Sequence, residues 1–507
     1  MVREARLQDG LEQGGSAPST MPQGAGDPLR LWLIALSVWT LCGALPSIFV
    51  ALHKRDGRPA REFFDAPAGL LFLVATALIL VSVVVLISAL RRSTGSEVRN
   101  TILLNLGSVA LVALVAEVSL RGLVRRTAVA DTFGHVALLP KSWSRIAARN
   151  RGVLARARAG GSFLVFDGEL GWTIAKSAQS GDYNRRLTRQ HLLERARAGD
   201  SSVRVPPEAG SGDADLYASS REGLRSGRAG ISLADTHPSR RIALVGDSFT
   251  FGLEVRYENT WGAYLEPLAG AGAQVLNFGV DGYGIDQDYL RYRRDVTPWK
   301  PEIVVLGVIS DDFRRTMCVY GFLCFPGAEI PFPKPRFVVA DSGLRQLNAP
   351  LPTPESISAQ QSIEELPFIK YDVAYDPVEW ETHFYDHAYT IRVPLSIFRR
   401  WPAREPVVSD SAMRRVNAAL IKAFLLDAHR QGSRAIVVYF PSGDELRSGP
   451  HSPSLAQEVL RQGGIPFLDM TDCVERVPPD ERFVVFHYSA TTNAAVASCL
   501  ARALRLE

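Results

Sequence analysis

Three stretches near the start of the chain are apolar over their whole length, and the rest alternates between short apolar runs and polar segments. Leu31–Leu52 and Ala66–Leu90 carry no charged residue. A third run begins at Thr101 and stays apolar to Ala116; Glu117 and Arg121 then punctuate it, and Val124 ends it. A helix rises about 1.5 Å per residue, so each run is long enough to cross roughly 30 Å of hydrocarbon. The pattern predicts three transmembrane helices within an anchor over 29–124, after a polar tail over 1–28. With that tail ahead of the first span and no short apolar region with a cleavage site, a cleavable signal peptide is not expected. Glu117 and Arg121 lie four apart on one helical face. They read as a pair anchoring the helix end, the alternative being a functional intramembrane carboxylate.

Beyond the anchor the period changes. Arg241–Gly246, Gln274–Val280, Glu302–Ile309, Arg434–Phe440 and Pro466–Asp469 are short, nearly continuous apolar runs. Helical patterns such as Ser411–Arg430 separate them. Strands apolar on both faces, alternating with helices, predict an α/β domain with a parallel sheet covered on both sides. The domain is expected over 236–507, with an insertion or lid at about 313–400, rich in Pro and aromatics. Residues 125–235 are expected to be a juxtamembrane and linker segment, with Glu194–Gly230 as loop. Within it, 141–158 is basic and reads either as an amphipathic helix on anionic lipid or as an ordinary solvated helix.

Charge narrows the partners. The chain has 57 Lys+Arg against 53 Asp+Glu in 507 residues, a net charge of +4. From residue 125 onward 46 basic residues face 44 acidic ones, so no nucleic-acid partner is expected. The lipid bilayer is the expected partner of the anchor. Orientation stays open, because basic residues divide almost evenly between the two sides of the three spans. Of five cysteines, Cys42 lies in the first span. Cys318 with Cys324, and Cys473 with Cys499, either form two disulfides suited to an oxidising compartment or remain buried thiols. No cofactor or metal is implied: His383 and His387 are four apart but lack the Glu of a zinc-binding helix.

In doubly wound sheets, ligands bind beyond the carboxyl ends of the strands. The segments there are Gly246-Asp247-Ser248-Phe249-Thr250-Phe251-Gly252, then Asn277-Phe278-Gly279-Val280-Asp281-Gly282-Tyr283-Gly284, then Ser310-Asp311-Asp312. Near the C-terminus stands Phe486-His487-Tyr488-Ser489. A serine at a helix start, a glycine-rich turn and a histidine make a nucleophile, oxyanion donors and a general base.

These blocks resemble the SGNH (GDSL-type) hydrolases, in the order GDSFTFG, NFGVDGYG and HYSATTNAAVA. ELGWTIA at Glu169–Ala175 and YASSREGLRS at Tyr217–Ser226 resemble segments that precede the GDS block in membrane-anchored bacterial members. The resemblance covers roughly 165–507. It implies a three-layer α/β/α, flavodoxin-like domain, Ser248 as nucleophile, His487 as base, and an oxyanion hole of Ser248, Gly282 and the Asp311 position. It implies a serine esterase or O-acyl transferase acting on an ester of a cell-envelope glycan or lipid, in a bacterial inner-membrane protein with its C-terminal domain periplasmic. Two positions depart from the pattern. Asp311 stands where an asparagine amide is usual, and Val484 stands where an acid three before the histidine is usual. The expectation is therefore a Ser–His dyad oriented by a backbone carbonyl or by a substitute carboxylate, with Asp311 a candidate. The alternative is a catalytically weakened domain that binds a glycan or an assembly partner.

Overall fold

The computed structural model describes residues 28–53, 67–91, 95–127, 130–134, 136–180, 217–326, 328–341, 343–397, 410–447 and 453–506. Two compact units form from them. One takes the described residues of Met1–Val124, Phe133–Val136 and Phe384–Arg404; the other takes those of Arg125–Thr132, Ala137–His383 and Glu405–Glu507.

The first unit holds three long helices, Pro28–His53, Pro67–Leu90 and Gly95–Leu123. Each contains a stretch long and apolar enough to cross a membrane: Pro28–Ile48, Phe72–Ala89 and Gly95–Leu123. Many of their large side chains, such as Trp32, Leu80 and Leu104, are exposed, as an apolar solvent would require. Trp39 Nε1 donates to Asn105 Oδ1 at 3.1 Å, linking the first helix to the third. Glu117 pairs with Arg121 at 2.8 Å. It also accepts from the backbone N–H of Tyr389 and Thr390 at 3.0 and 2.9 Å. The carboxylate thus takes up the free N–H groups that open the helix Tyr389–Ile397.

The second unit is built on an eight-stranded sheet. Its strands are β1 (Gln179–Ser180), β2 (Tyr217–Ser219), β3 (Arg225–Ser226), β4 (Arg240–Val245), β5 (Ala273–Asn277), β6 (Ile303–Val308), β7 (Arg434–Tyr439) and β8 (Phe467–Asp469), in spatial order β8-β7-β6-β4-β5-β3-β2-β1. β8, β7, β6, β4 and β5 run parallel, and β3, β2 and β1 continue the sheet antiparallel. Four of the five parallel strands fall within one residue of the apolar runs, while the run Gln274–Val280 outlasts its strand by three residues; their 2-1-3-4-5 order is that of a flavodoxin-like fold. Alternate residues face opposite layers. Ala243, Val245, Leu306 and Val437 pack with Leu420 and Phe424 of the helix Asp410–Arg430 on one side. Ile242, Leu244, Val305 and Val438 pack with Trp261 and with Val496 and Leu500 of the helix Ala490–Leu504 on the other.

Two expectations need correction. The sheet starts before residue 236: β2 and β3 lie inside the segment expected as loop, because two or three residues are too few to show a period. The basic segment 141–158 is not free for lipid. Its helix, Trp143–Gly160, buries Trp143, Ile146 and Ala147 against Phe322, Ile357 and Ile363 of the insertion. Arg149 and Arg151 donate to the carbonyls of Pro326 and Ser358, and Arg156 and Arg158 pair with Glu329 and Glu355.

The turn after β5 passes against the turn after β4. A Cβ on Gly279 would lie 2.4 Å from the Phe251 nitrogen and 2.8 Å from the Thr250 carbonyl carbon, both backbone atoms with no room to yield. Gly279→Ala is therefore expected to destabilise the domain by about 1–3 kcal/mol, the usual range for overpacking, read as a lower denaturant midpoint.

Candidate active site

Ser248 follows β4 and opens the short helix Ser248–Phe251. Asp247 caps that helix, accepting from the Phe249 N–H at 2.9 Å. The Ser248 N–H, as the first of the helix, has no intrahelical acceptor. Gly282, in the turn after β5, has φ +77°, a conformation that glycine enters freely. Its position faces Trp172 and Phe325, either of which would lie 3.5 Å from an added Cβ. Trp172 fixes this turn, donating from Nε1 to the Asp281 carbonyl at 3.0 Å, while the Tyr283 hydroxyl donates to the Trp172 carbonyl at 2.5 Å. The GWTI segment read from sequence thus belongs to the site's frame.

His487 arrives from the loop between the helices Thr471–Glu475 and Ala490–Leu504, which the Cys473–Cys499 disulfide ties together. Cys318 and Cys324 form the second disulfide. The imidazole Nε2 is 2.9 Å from Ser248 Oγ. The ring packs on Phe249, centroids 5.0 Å apart. The structure thus brings together the serine and histidine paired from the sequence, 239 residues apart.

The carboxylate beside His487 comes from neither of the positions expected from the sequence. Val484 donates its N–H to the His487 carbonyl at 2.9 Å and only closes the loop. Asp311 is not brought to the site: its side chain is 60 % exposed and pairs with Arg314 at 3.1 Å. An exposed carboxylate held on an arginine can neither orient the imidazole nor donate to an oxyanion. The acid beside His487 is Glu254, six residues after Ser248. Glu254 Oε1 stands 3.1 Å from His487 Nδ1, an ion-pair distance whose angle falls short of an aligned hydrogen bond. Such contacts often tighten only when substrate binds. Glu254 Oε2 accepts from the N–H groups of Val485, Phe486 and His487 at 2.9, 3.1 and 3.1 Å. One carboxylate thus holds both the ring and the backbone of the base loop.

Glu254 adopts φ +71°, in the left-handed region, which costs a non-glycine residue about 1–2 kcal/mol. Its signal in the sequence is faint: a lone acid between Leu253 and Val255, both buried, just past the nucleophile turn. Burial alone raises the Glu254 pKa, but the His487 charge and the loop N–H groups reverse this and hold it below the ordinary value. For His487, burial pushes the pKa down, and Glu254, with Asp281 and Asp247, more than compensates, leaving it above the ordinary histidine value.

Behind the serine lies a buried charged cluster. Arg315 Nη1 donates to Asp247 Oδ2 at 2.9 Å, Asp312 Oδ1 at 2.8 Å and the Tyr283 carbonyl at 3.3 Å. Asp247 Oδ2 also accepts from Ser248 Oγ at 3.2 Å. Asp312 and Asp288 are fully buried, and burial first, then the Asp247 charge, pushes both carboxyls well above the carboxylate range. Among the described residues no group of three or more His, Cys, Asp or Glu is arranged to hold a metal ion.

No family model matches the chain, and no curated protein matches it. Solved structures do resemble it. A G-D-S-L family protein from Desulfitobacterium hafniense DCB-2 is 14% identical, aligned over 52% of this chain and 99% of its own, with a TM-score of 0.26. A lipase/acylhydrolase from Enterococcus faecalis is 13% identical over 52% and 95%, TM-score 0.27. An acetylxylan esterase from Geobacillus stearothermophilus is 12% identical over 52% and 94%, TM-score 0.27. Likeness at this level carries no chemistry with it; the chemistry rests on the residues themselves.

Arg315→Met would leave Asp247 and Asp312 facing each other without a cation. The expected loss is about 3–5 kcal/mol, as for breaking a buried ion pair. The folded pKa of Asp312 would rise further above its unfolded value, so stability should fall as pH rises above about 4. Denaturation midpoints at pH 4 and pH 7 should separate more in the variant than in the wild type.

Proposed function

We propose that this chain is a serine ester hydrolase of the SGNH type, anchored in a membrane by its three N-terminal helices. The observation that carries the reading is the Glu254–His487–Ser248 series, with contacts of 3.1 and 2.9 Å. Ser248 Oγ attacks the ester carbonyl while His487 Nε2 takes its proton. The N–H groups of Ser248 and Gly282 face the developing oxyanion. His487 then protonates the leaving alcohol, and water activated by the same imidazole resolves the acyl-enzyme. Glu254 keeps the imidazole in the right tautomer and stabilises its cation, so the chain works as a triad rather than the dyad expected from sequence.

The substrate class we favour is an ester of a cell-envelope glycan or lipid, on the extracytoplasmic side of a bacterial inner membrane. Two disulfides favour an oxidising compartment, and the apolar helices favour a substrate at the membrane. Transfer of the acyl group to a sugar hydroxyl uses the same intermediate with another acceptor. A weakened, binding-only domain drew its support from Val484 and Asp311, and Glu254 answers the first of these.

A fluorophosphonate probe should label the full-length protein and not Ser248→Ala. A folded wild type that stays unlabelled would overturn the serine assignment. The acidic limb of kcat/KM for 4-nitrophenyl acetate should lie above about 6.5, because only the neutral imidazole accepts the proton and Glu254 resists its formation. In Glu254→Gln, burial acts unopposed by that charge. The limb should then move to lower pH, and kcat should drop by roughly 10⁴, the cost of the equivalent change in serine proteases.

A further inference from the structure

The YASSREGLRS segment has no part in the reaction just described, yet two of its side chains reach the residue that orients the base. Glu254 is held in its left-handed conformation by contacts on both sides of the bend. On one side its own N–H donates to the Tyr217 hydroxyl at 2.9 Å. On the other, Arg225 Nη2 donates to the Val255 carbonyl at 3.2 Å. The Arg225 guanidinium lies over the rings of Tyr217 and Phe251, 5.0 and 4.9 Å from their centroids, and the two rings are 5.3 Å apart. Tyr217 is 2 % exposed and Arg225 1 %. A guanidinium is costly to bury, and the two aromatic faces and the carbonyl help to offset the desolvation.

We propose that Tyr217 and Arg225 are positioning residues that aim the Glu254 carboxylate at His487. The inference rests on the triad reading above. Tyr217 fixes the peptide entering Glu254, and Arg225 fixes the turn leaving it. Between them they confine a strained residue to the conformation in which its side chain reaches Val485–His487. The stacked guanidinium couples the two contacts, since it braces the Tyr217 ring as it holds Val255.

The test is a double-mutant cycle in the full-length protein in detergent, with Tyr217→Phe, Glu254→Gln and the pair. Tyr217→Phe leaves the Glu254 N–H without its acceptor and should lower kcat for 4-nitrophenyl acetate about 10- to 100-fold at little change in KM. The acidic limb should shift toward that of Glu254→Gln, since the other charges facing His487, Asp247 and Asp281, are untouched. In the Glu254→Gln background the tyrosine change should alter kcat less than about twofold, because effects of residues acting as a unit are not additive. An equal loss in both backgrounds, or an unmoved limb, would show a merely structural role and overturn the proposal. If Glu254→Gln itself keeps full activity, the triad reading falls, and this proposal with it. Should Tyr217→Phe fail to fold, Arg225→Met, which keeps a packed stem, goes through the same cycle with the same expected outcomes.

Discussion

A single carboxylate closes this site. Glu254 accepts three backbone N–H groups from Val485–His487 and stands against the imidazole of the last. Those groups would otherwise be free donors in a loop, and a charged acceptor is a stronger partner for them than water-exposed turns usually find. The same oxygen atoms therefore set where the loop sits, which way the ring faces and how basic it is. Ser248 and Glu254 travel together on the segment after β4, so His487 alone must be brought in from a distant part of the chain. The Cys473–Cys499 bond fixes the two helices that flank its loop, and the carboxylate does the rest.

The charges behind the serine follow a different rule. Asp247 and Asp312 share one guanidinium, Asp288 feels the Asp247 charge, and among the described residues Asp288 has no hydrogen-bond partner for either oxygen. Like charges so close and so dry cannot all ionise, so the cluster keeps protons on some of its members. Arg315 concentrates its one Nη1 on two carboxylates and the Tyr283 carbonyl, which ties the nucleophile turn, the glycine turn after β5 and the segment after β6 into one body. The topological switch between β4 and β6 is where a doubly wound sheet opens a crevice, and it is where this knot of charge lies.

How much of this could be read from the sequence follows the strength of each local signal. β6 is apolar on both faces for six residues and β4 for its last four, and they could hardly be anything but strands. Ser248 and Gly282 sit beside turn-forming residues just past such strands, and His487 stands shortly before the helix Ala490–Leu504. Tyr217–Ser219 and Arg225–Ser226 have no such pattern: the sheet, not their own composition, makes them strands, and Arg225 is buried because two rings receive it. The helix 143–160 reads as basic and amphipathic, and what its apolar face meets is decided by Phe322 and Ile357, which lie far along the chain. Asp311 stands in a motif position, but a motif position fixes the backbone and not the direction of the side chain.

Glu254 carries the broader consequence. An acid placed three residues before the histidine describes where a carboxylate is attached to the chain, whereas the imidazole responds only to where the charge lies in space. Here the attachment point has moved to the opposite end of the domain's sequence while the charge has stayed beside Nδ1. Sorting such chains by the residues flanking the histidine alone would overlook this carboxylate. A lone acid shortly after the nucleophile turn, held between buried apolar neighbours, is the complementary mark to look for.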